Sequence, residues 1–256
     1  MRATILFLLP LLTLLIYLLI FITTLLFIVD INSLTYVLQH DRFISALRVS
    51  IIAAFGSATL TTLLCIPIAY ALSRRIIPGG SIANVMGLAV LSLPPVAIGL
   101  MLLGLFKATP HGSLIDYRLQ IVYDIKGIVL AQMTVELPVV LVLLKQVFDY
   151  INPEPEDTLM TMGATRAQAM LKATIPEAIP GIVAAYIVAW LRSLGEFGAT
   201  LVVSGNIHYK TETLPLLMYN YMSEAKLAEG LIVVVIILTI AVLSATLIYL
   251  YYKPLR

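Results

Sequence analysis

Residues 189–203 read AWLRSLGEFGATLVV, an apolar run interrupted by Arg192 and Glu196 with Gly195 and Gly198 beside them. An arginine and a glutamate spaced i, i+4 on a helix share a face and partly neutralise each other. The two glycines would let a second helix approach closely. A charge at the centre of a bilayer costs about 2.5–3.5 kcal/mol on insertion scales, so such groups face protein or a water-filled path. Two roles fit: a structural ion pair that pins helix packing, or a pair that shapes the gate or inner mouth of a pathway. A paired arginine is a poor free binding site, which favours the scaffold or gating role over direct contact with a ligand. Glu136 is a third charge in an apolar run, a pathway candidate that would pair with another buried polar group. Pro94 and Pro95 remove backbone donors from a further run. They would either unwind a helix beside a pathway or merely kink it.

None of this amounts to a catalytic set. His40, His111 and His208 are widely spaced and lie outside the apolar runs, and Ser204-Gly205 lacks the other parts of a serine hydrolase. No metal site is expected. Cys65 is the single cysteine, which excludes an internal disulfide. No glycine is followed directly by lysine, so the chain has no Walker A phosphate cradle and binds no ATP by that route.

These residues sit in a chain that is 61% hydrophobic and 12% charged, with a mean hydropathy of +1.02. Soluble domains are about 45–50% apolar and roughly 25% charged. So much apolar side chain belongs in lipid, and a net charge of +2 does not point to nucleic acid. A helix needs about 20 mainly apolar residues to cross the hydrocarbon. Six runs qualify, at about 3–29, 45–73, 80–106, 127–149, 178–204 and 230–252. The first is too long for a signal peptide and reads as a retained anchor. An all-α membrane protein follows, a single transmembrane domain over 1–256. Tyr249, Tyr251 and Tyr252 read as an interfacial belt. The adjacent Arg74 and Arg75 in a short turn place both termini in the cytoplasm by the positive-inside rule.

The longest inner connection, residues 151–177, has its own punctuation. Pro153 and Pro155 start a helix, and Glu154, Glu156 and Asp157 sit where the helix dipole favours acids. Gly163 suits a left-handed stop. Thr165 with Gln168 forms a capping-box pattern for a second short helix, which Pro176 helps to end. Leu159, Met160 and Met162 are free to present an apolar knob, although an ordinary amphipathic connector would read the same way.

This segment resembles the cytoplasmic EAA loop of ABC importer permeases. Gly163 stands at the loop's glycine and Ala173–Pro176 at its Ile-x-Leu-Pro end, with Asp157, Thr158 and Leu159 in place of Glu-Ala-Ala. LRSLGEFGATLVVSGNIHYKTETLPLLMY (191–219), LSLPPVAIGLMLL (91–103) and LRVSIIAAFGSATLTTLLCIPIAYALSRR (47–75) resemble the molybdate, tungstate and sulfate branch of that family, most of all its molybdate/tungstate permeases. The resemblance implies a type I importer fold with a coupling helix between the fourth and fifth spans. It implies a homodimer in the cell membrane that receives molybdate or tungstate from an extracytoplasmic binding protein. Two separate ATPase subunits, which bind ATP and Mg, would dock on the loop through Glu156, Asp157, Leu159, Met162, Gly163, Ala164 and Thr165. Asn206, Lys210, Thr211 and Thr213 are candidates for touching the binding protein. A sulfate or thiosulfate permease is the nearest alternative. A stand-alone carrier would use inverted repeats or several buried ionisable groups; no internal repeat is evident.

Overall fold

The computed structural model describes residues 30–77 and 89–252 continuously, with scattered positions between 10 and 23. The expected first span (3–29) and the opening of the third (80–88) fall largely outside the described residues, as do the side chains of the tyrosine belt. Among the described residues the fold is all-helical.

Two capped helices open it. Asp30 accepts from the Ser33 amide at 2.6 Å and starts α1 (Ile31–Gln39). The His40 ring accepts from the Arg42 amide and starts α2 (Asp41–Ser73). α2 buries Ala46, Ala53, Ala54, Ala58, Cys65 and Ala69, a small-residue stripe at helical spacing. Small side chains let α5 (Ile125–Tyr150) lie close along it. Pro67 and Pro138 lie inside these two helices without ending them.

The third expected span breaks at its prolines. Residues 89–92 are helical, Pro94 is extended (φ −58°, ψ 138°), and α3 (Pro95–Ala108) begins anew. A proline pushes the residue before it out of the helical region, so adjacent prolines break the span rather than kink it. α4 (Pro110–Leu119) follows at a bend of 89°.

The fifth expected span needs two corrections. α6 (Glu154–Thr161) is followed by the predicted turn at Gly163 and the predicted capping box at Thr165. The next helix, however, is neither short nor stopped by Pro176. It runs unbroken as α7 (Arg166–Leu194) through a π-helical stretch at Met170–Thr174. There the Ile175 amide reaches back to the Met170 carbonyl. The wider turn accommodates the ring and missing donor of Pro176. The second correction concerns the end of the span, which is Leu194 rather than residue 204, because α8 (Gly198–Ser204) is a separate helix. α9 (Leu214–Ser223) and α10 (Leu227–Tyr252) complete the chain. Among the described residues four helices are long and apolar enough to cross a membrane, and the bent α3–α4 pair would be a fifth.

The end of the bundle where α2 begins is tied by charge. Arg42 Nε and Nη2 donate to the buried Glu212 carboxylate at 2.7–3.1 Å. Arg42 Nη1 donates to Glu224 at 3.0 Å, and Nη2 lies 3.1 Å from His208 Nε2. Removing one partner of a buried pair strands the other charge, at a cost of about 3–5 kcal/mol. Arg42→Ala is therefore expected to lower the thermal midpoint of the detergent-solubilised protein steeply. Adding Glu212→Ala should cost less than the sum of the single losses; strict additivity would show that the pair is not coupled.

Candidate functional site

Two places gather the polar residues of the apolar runs: a pair of helix breaks in the bundle, and the elbow between α5 and α7.

At the breaks, α7 stops at Leu194 because Gly195 turns the chain (φ −90°, ψ 0°). Glu196 is buried, and its Oε1 accepts from the Ala199 amide at 2.9 Å, so it caps α8. The expected Arg192–Glu196 pair does not form. The i, i+4 spacing acts only within a continuous helix, and here the helix has ended. The exposed donors of a helix start must be satisfied inside a bilayer, and they take the carboxylate. Arg192 stands exposed on the last turn of α7, with no hydrogen bond or ion pair among the described residues.

The broken third and fifth spans meet here. A Cβ on Gly198 would lie 2.9 Å from Val96 Cγ2 and 3.0 Å from the Val96 nitrogen, just after the Pro94–Pro95 break. A Cβ on Gly99 would lie 2.9 Å from the Ala199 backbone in α8. Glycine is needed at both positions because the backbones touch.

Glu136, on α5, is 0% exposed. Its Oε1 accepts from Ser57 at 2.8 Å and from Thr61 at 2.6 Å, both on α2, and its Oε2 accepts from Ser193 on α7. The buried polar partner anticipated for it is thus a set of three hydroxyls on two neighbouring helices.

The residues considered for binding-protein contact separate. Lys210 is exposed and Asn206 half-buried, the latter bonded to Asn220 at 2.8 Å. Thr211 and Thr213 are buried, and Thr211 donates to the Ser204 carbonyl at 2.8 Å. Neither threonine is available as a surface contact. They belong instead to the turn that returns the chain into α9.

At the elbow, Gly163 adopts φ +94° with no atom within 4 Å of a would-be Cβ. Thr165 caps α7 through the Gln168 amide. Asp157, Gly163 and Thr165 are exposed, Leu159 and Ala164 are half-buried, and Met162 is 78% exposed. The apolar knob is therefore mainly Met162.

Glu156 departs from the expectation of an outward contact: it is buried and turned inward. Arg74 Nη2 donates to it at 2.7 Å, Tyr70 donates to Oε2 at 2.7 Å, and Thr174 also donates. Arg74 donates as well to the carbonyls of Phe148 (2.9 Å) and Ile151 (3.2 Å). This one cluster holds α6 to the ends of α2, α5 and α7. Sequence reasoning treats Arg74 as an orienting charge and Arg42 as an outer one, and misses both clamps. Their partners lie 82 and 170 residues away, so only the pairing of a basic helix end with a distant acid could have hinted at them.

Burial pulls the Glu156 carboxyl upward, but the hydrogen bonds from Arg74, Thr174 and Tyr70 outweigh it and leave the group below its ordinary value of 4.5. A carboxylate depressed in the folded state adds stability above its unfolded value, and that stability is lost as pH falls through the folded one. Thermal midpoints should therefore fall on acidification below about pH 4.5. Glu156→Gln should flatten that acid limb while lowering the plateau. An unchanged acid limb in the variant would show that the clamp is not charged.

Comparison with known proteins agrees with this architecture. A family model described as "Binding-protein-dependent transport system inner membrane component" matches residues 68–255. The chain is 35% identical over 214 residues to the sulfate transport system permease protein CysW of Synechocystis sp., covering 79% of this chain and 75% of that one. It is 32% identical over 182 residues to the molybdenum transport system permease protein ModB of Haemophilus influenzae, covering 70% and 80%. To the molybdate/tungstate transport system permease protein WtpB of Thermococcus kodakarensis it is 28% identical over 212 residues, covering 83% and 80%. A crystal structure of a bacterial ABC transporter involved in import of alginate shares the fold, with a TM-score of 0.74 at 14% identity over 98% of this chain and 97% of that one. The chain belongs to the binding-protein-dependent transport system inner membrane component family, as an ABC importer permease of the sulfate, molybdate and tungstate branch with no ATPase site of its own.

Proposed function

We propose that this permease is the membrane pathway for a tetrahedral oxyanion, molybdate or tungstate, and that Arg192 is the group the anion meets. The observation that carries the reading is an exposed guanidinium, with no hydrogen bond or ion pair among the described residues, on the turn just before the Gly195 break that leads into the meeting of the two broken spans. Transporter sites recur where discontinuous helices meet near the midplane. A guanidinium suits such an anion because it offers a fixed fork of donors and stays charged. Glu196 commits a carboxylate oxygen to capping α8 and makes no ion pair with Arg192, so the guanidinium keeps its donors open while staying within electrostatic reach of Glu196 and Glu136.

The working unit is a homodimer in the cytoplasmic membrane with both termini inside. An extracytoplasmic binding protein delivers the anion, and two ATPase subunits supply the energy from ATP and Mg. The elbow is their contact: Met162 projects from it, and Asp157 and Thr165 flank the Gly163 turn. Its placement supports the orientation, because Arg74 clamps the elbow and so lies with Arg75 on the same face of the bundle. α7 then runs without a stop from the elbow to Arg192. At 1.5 Å per residue it is a rod of about 43 Å between the motor contact and the break.

Sulfate is the second reading, favoured by the likeness to the Synechocystis sulfate permease. Uptake of labelled molybdate, tungstate and sulfate by the complete complex in proteoliposomes separates the two. Molybdate or tungstate uptake is expected, and uptake of sulfate alone would replace the first reading by the second. A charged hydrogen bond is worth about 1.5–3 kcal/mol, so Arg192→Ala should lower uptake about ten- to hundredfold. Unchanged uptake by that variant would remove Arg192 from the pathway.

A further inference from the structure

Ser193 follows Arg192 on the last turn of α7, and its hydroxyl donates to the buried Glu136 carboxylate on α5. The same carboxylate is held from α2 by Ser57 and Thr61 at 2.8 and 2.6 Å. The final turn of α7 has lost its continuation at Gly195, and there the Leu191 and Ser193 carbonyls accept from the Gly195 and Glu196 amides of the cap. A helix end that precedes a break is fixed by its packing and by any side chain bonded across to a neighbouring helix. Leu194 supplies packing here and Ser193 supplies the directional bond. We propose that Glu136 is a positioning residue for transport: through Ser193 it fixes the terminal turn of α7 and so aims Arg192 into the pathway.

The chemistry is positional and needs no change of protonation. Oε1 and Oε2 reach different helices, so the carboxyl spans α2 and α7 from α5. A glutamine can replace it. Its amide oxygen still accepts from Ser57 and Thr61, and its NH2 can donate to a Ser193 hydroxyl that rotates to accept. A leucine of similar size can do neither. The inference rests on Arg192 being the anion contact, and its test separates the two.

The complete complex is reconstituted with Glu136→Gln, Glu136→Leu and Ser193→Ala, each alone and combined with Arg192→Ala, and uptake is scaled to assembled complex. Glu136→Gln should stay within about twofold of the parent. Glu136→Leu and Ser193→Ala should each lose about tenfold, the weight of one internal hydrogen bond. In the Arg192→Ala background neither should lower uptake further, because the residue being aimed is gone. Losses that multiply with Arg192→Ala would overturn the inference, since they place Glu136 in an independent, structural role. A glutamine variant as poor as the leucine would also overturn it, because charge rather than position would then matter. Should Glu136→Leu fail to assemble, Ser193→Ala removes the same link alone and decides the question in the same way. An Arg192→Ala single variant with intact uptake defeats the anion-contact reading instead, and is recognised before any double variant is read.

Discussion

A polar group inside a bilayer has no water to turn to, so the chain itself must satisfy it. The same holds for any acid that the fold withdraws from water, in lipid or at its edge. Among the described residues, Asp116, Glu136, Glu156, Glu196 and Glu212 are all buried, and all accept hydrogen bonds from within the chain. Each sits where helices end, turn or cross. Glu136 joins three spans, Glu156 fastens the elbow, Glu196 starts α8, and Glu212 receives Arg42. Leaving any of them unpaired would cost several kcal/mol, so the acids act as fasteners and fix the geometry of the joints. Arg192 stands exposed beside this fastened framework, with no hydrogen bond or ion pair among the described residues.

The fasteners divide the molecule into rigid and yielding parts. α2 and α5 pack along their small-residue stripe, with Glu136 bonded across the contact. α7 packs along both through Ala178, Ala185 and Ala189, and is bonded through Thr174 to Glu156 near the elbow, through Tyr186 to Thr59 midway, and through Ser193 to Glu136 near the break. The yielding points are the left-handed turn at Gly163, the Gly195 stop and the Pro94–Pro95 break. Two of these, at residues 94–95 and 195, are pressed together by Gly198 and Gly99. A push on the elbow that crosses the Gly163 turn would reach the start of α7 and travel along that one helix to the place where the bundle is least continuous. That arrangement suits a pathway opened from outside the chain, in keeping with an ABC importer permease whose ATPase is a separate subunit.

What the sequence discloses follows the range of the interaction. Span cores, the Gly163 turn, the Thr165–Gln168 capping box and the disruption at Pro94–Pro95 are local, set by residues within a few positions of one another, and they are legible. Pro176 misleads because a proline's local rule is to stop a helix, whereas a π turn just upstream lets this one continue. Glu196 misleads because i, i+4 pairing presumes an unbroken helix, and Gly195 has broken it. Thr211 and Thr213 look like solvated loop residues until the turn folds back and buries them. Glu156 looks like a dipole-favoured surface acid until Arg74, from a helix end 82 residues earlier, draws it inward. The two clamps escape for the same reason, since their partners are too distant in sequence to see.

The central claim is that this chain provides a passage but not the work. Anion uptake into proteoliposomes tests it most directly, measured with the purified permease alone and then with its ATPase partner, binding protein and ATP. No concentrative uptake is expected from the permease alone, and uptake dependent on hydrolysis is expected from the full assembly. Concentrative uptake by the permease without its companions would contradict the claim.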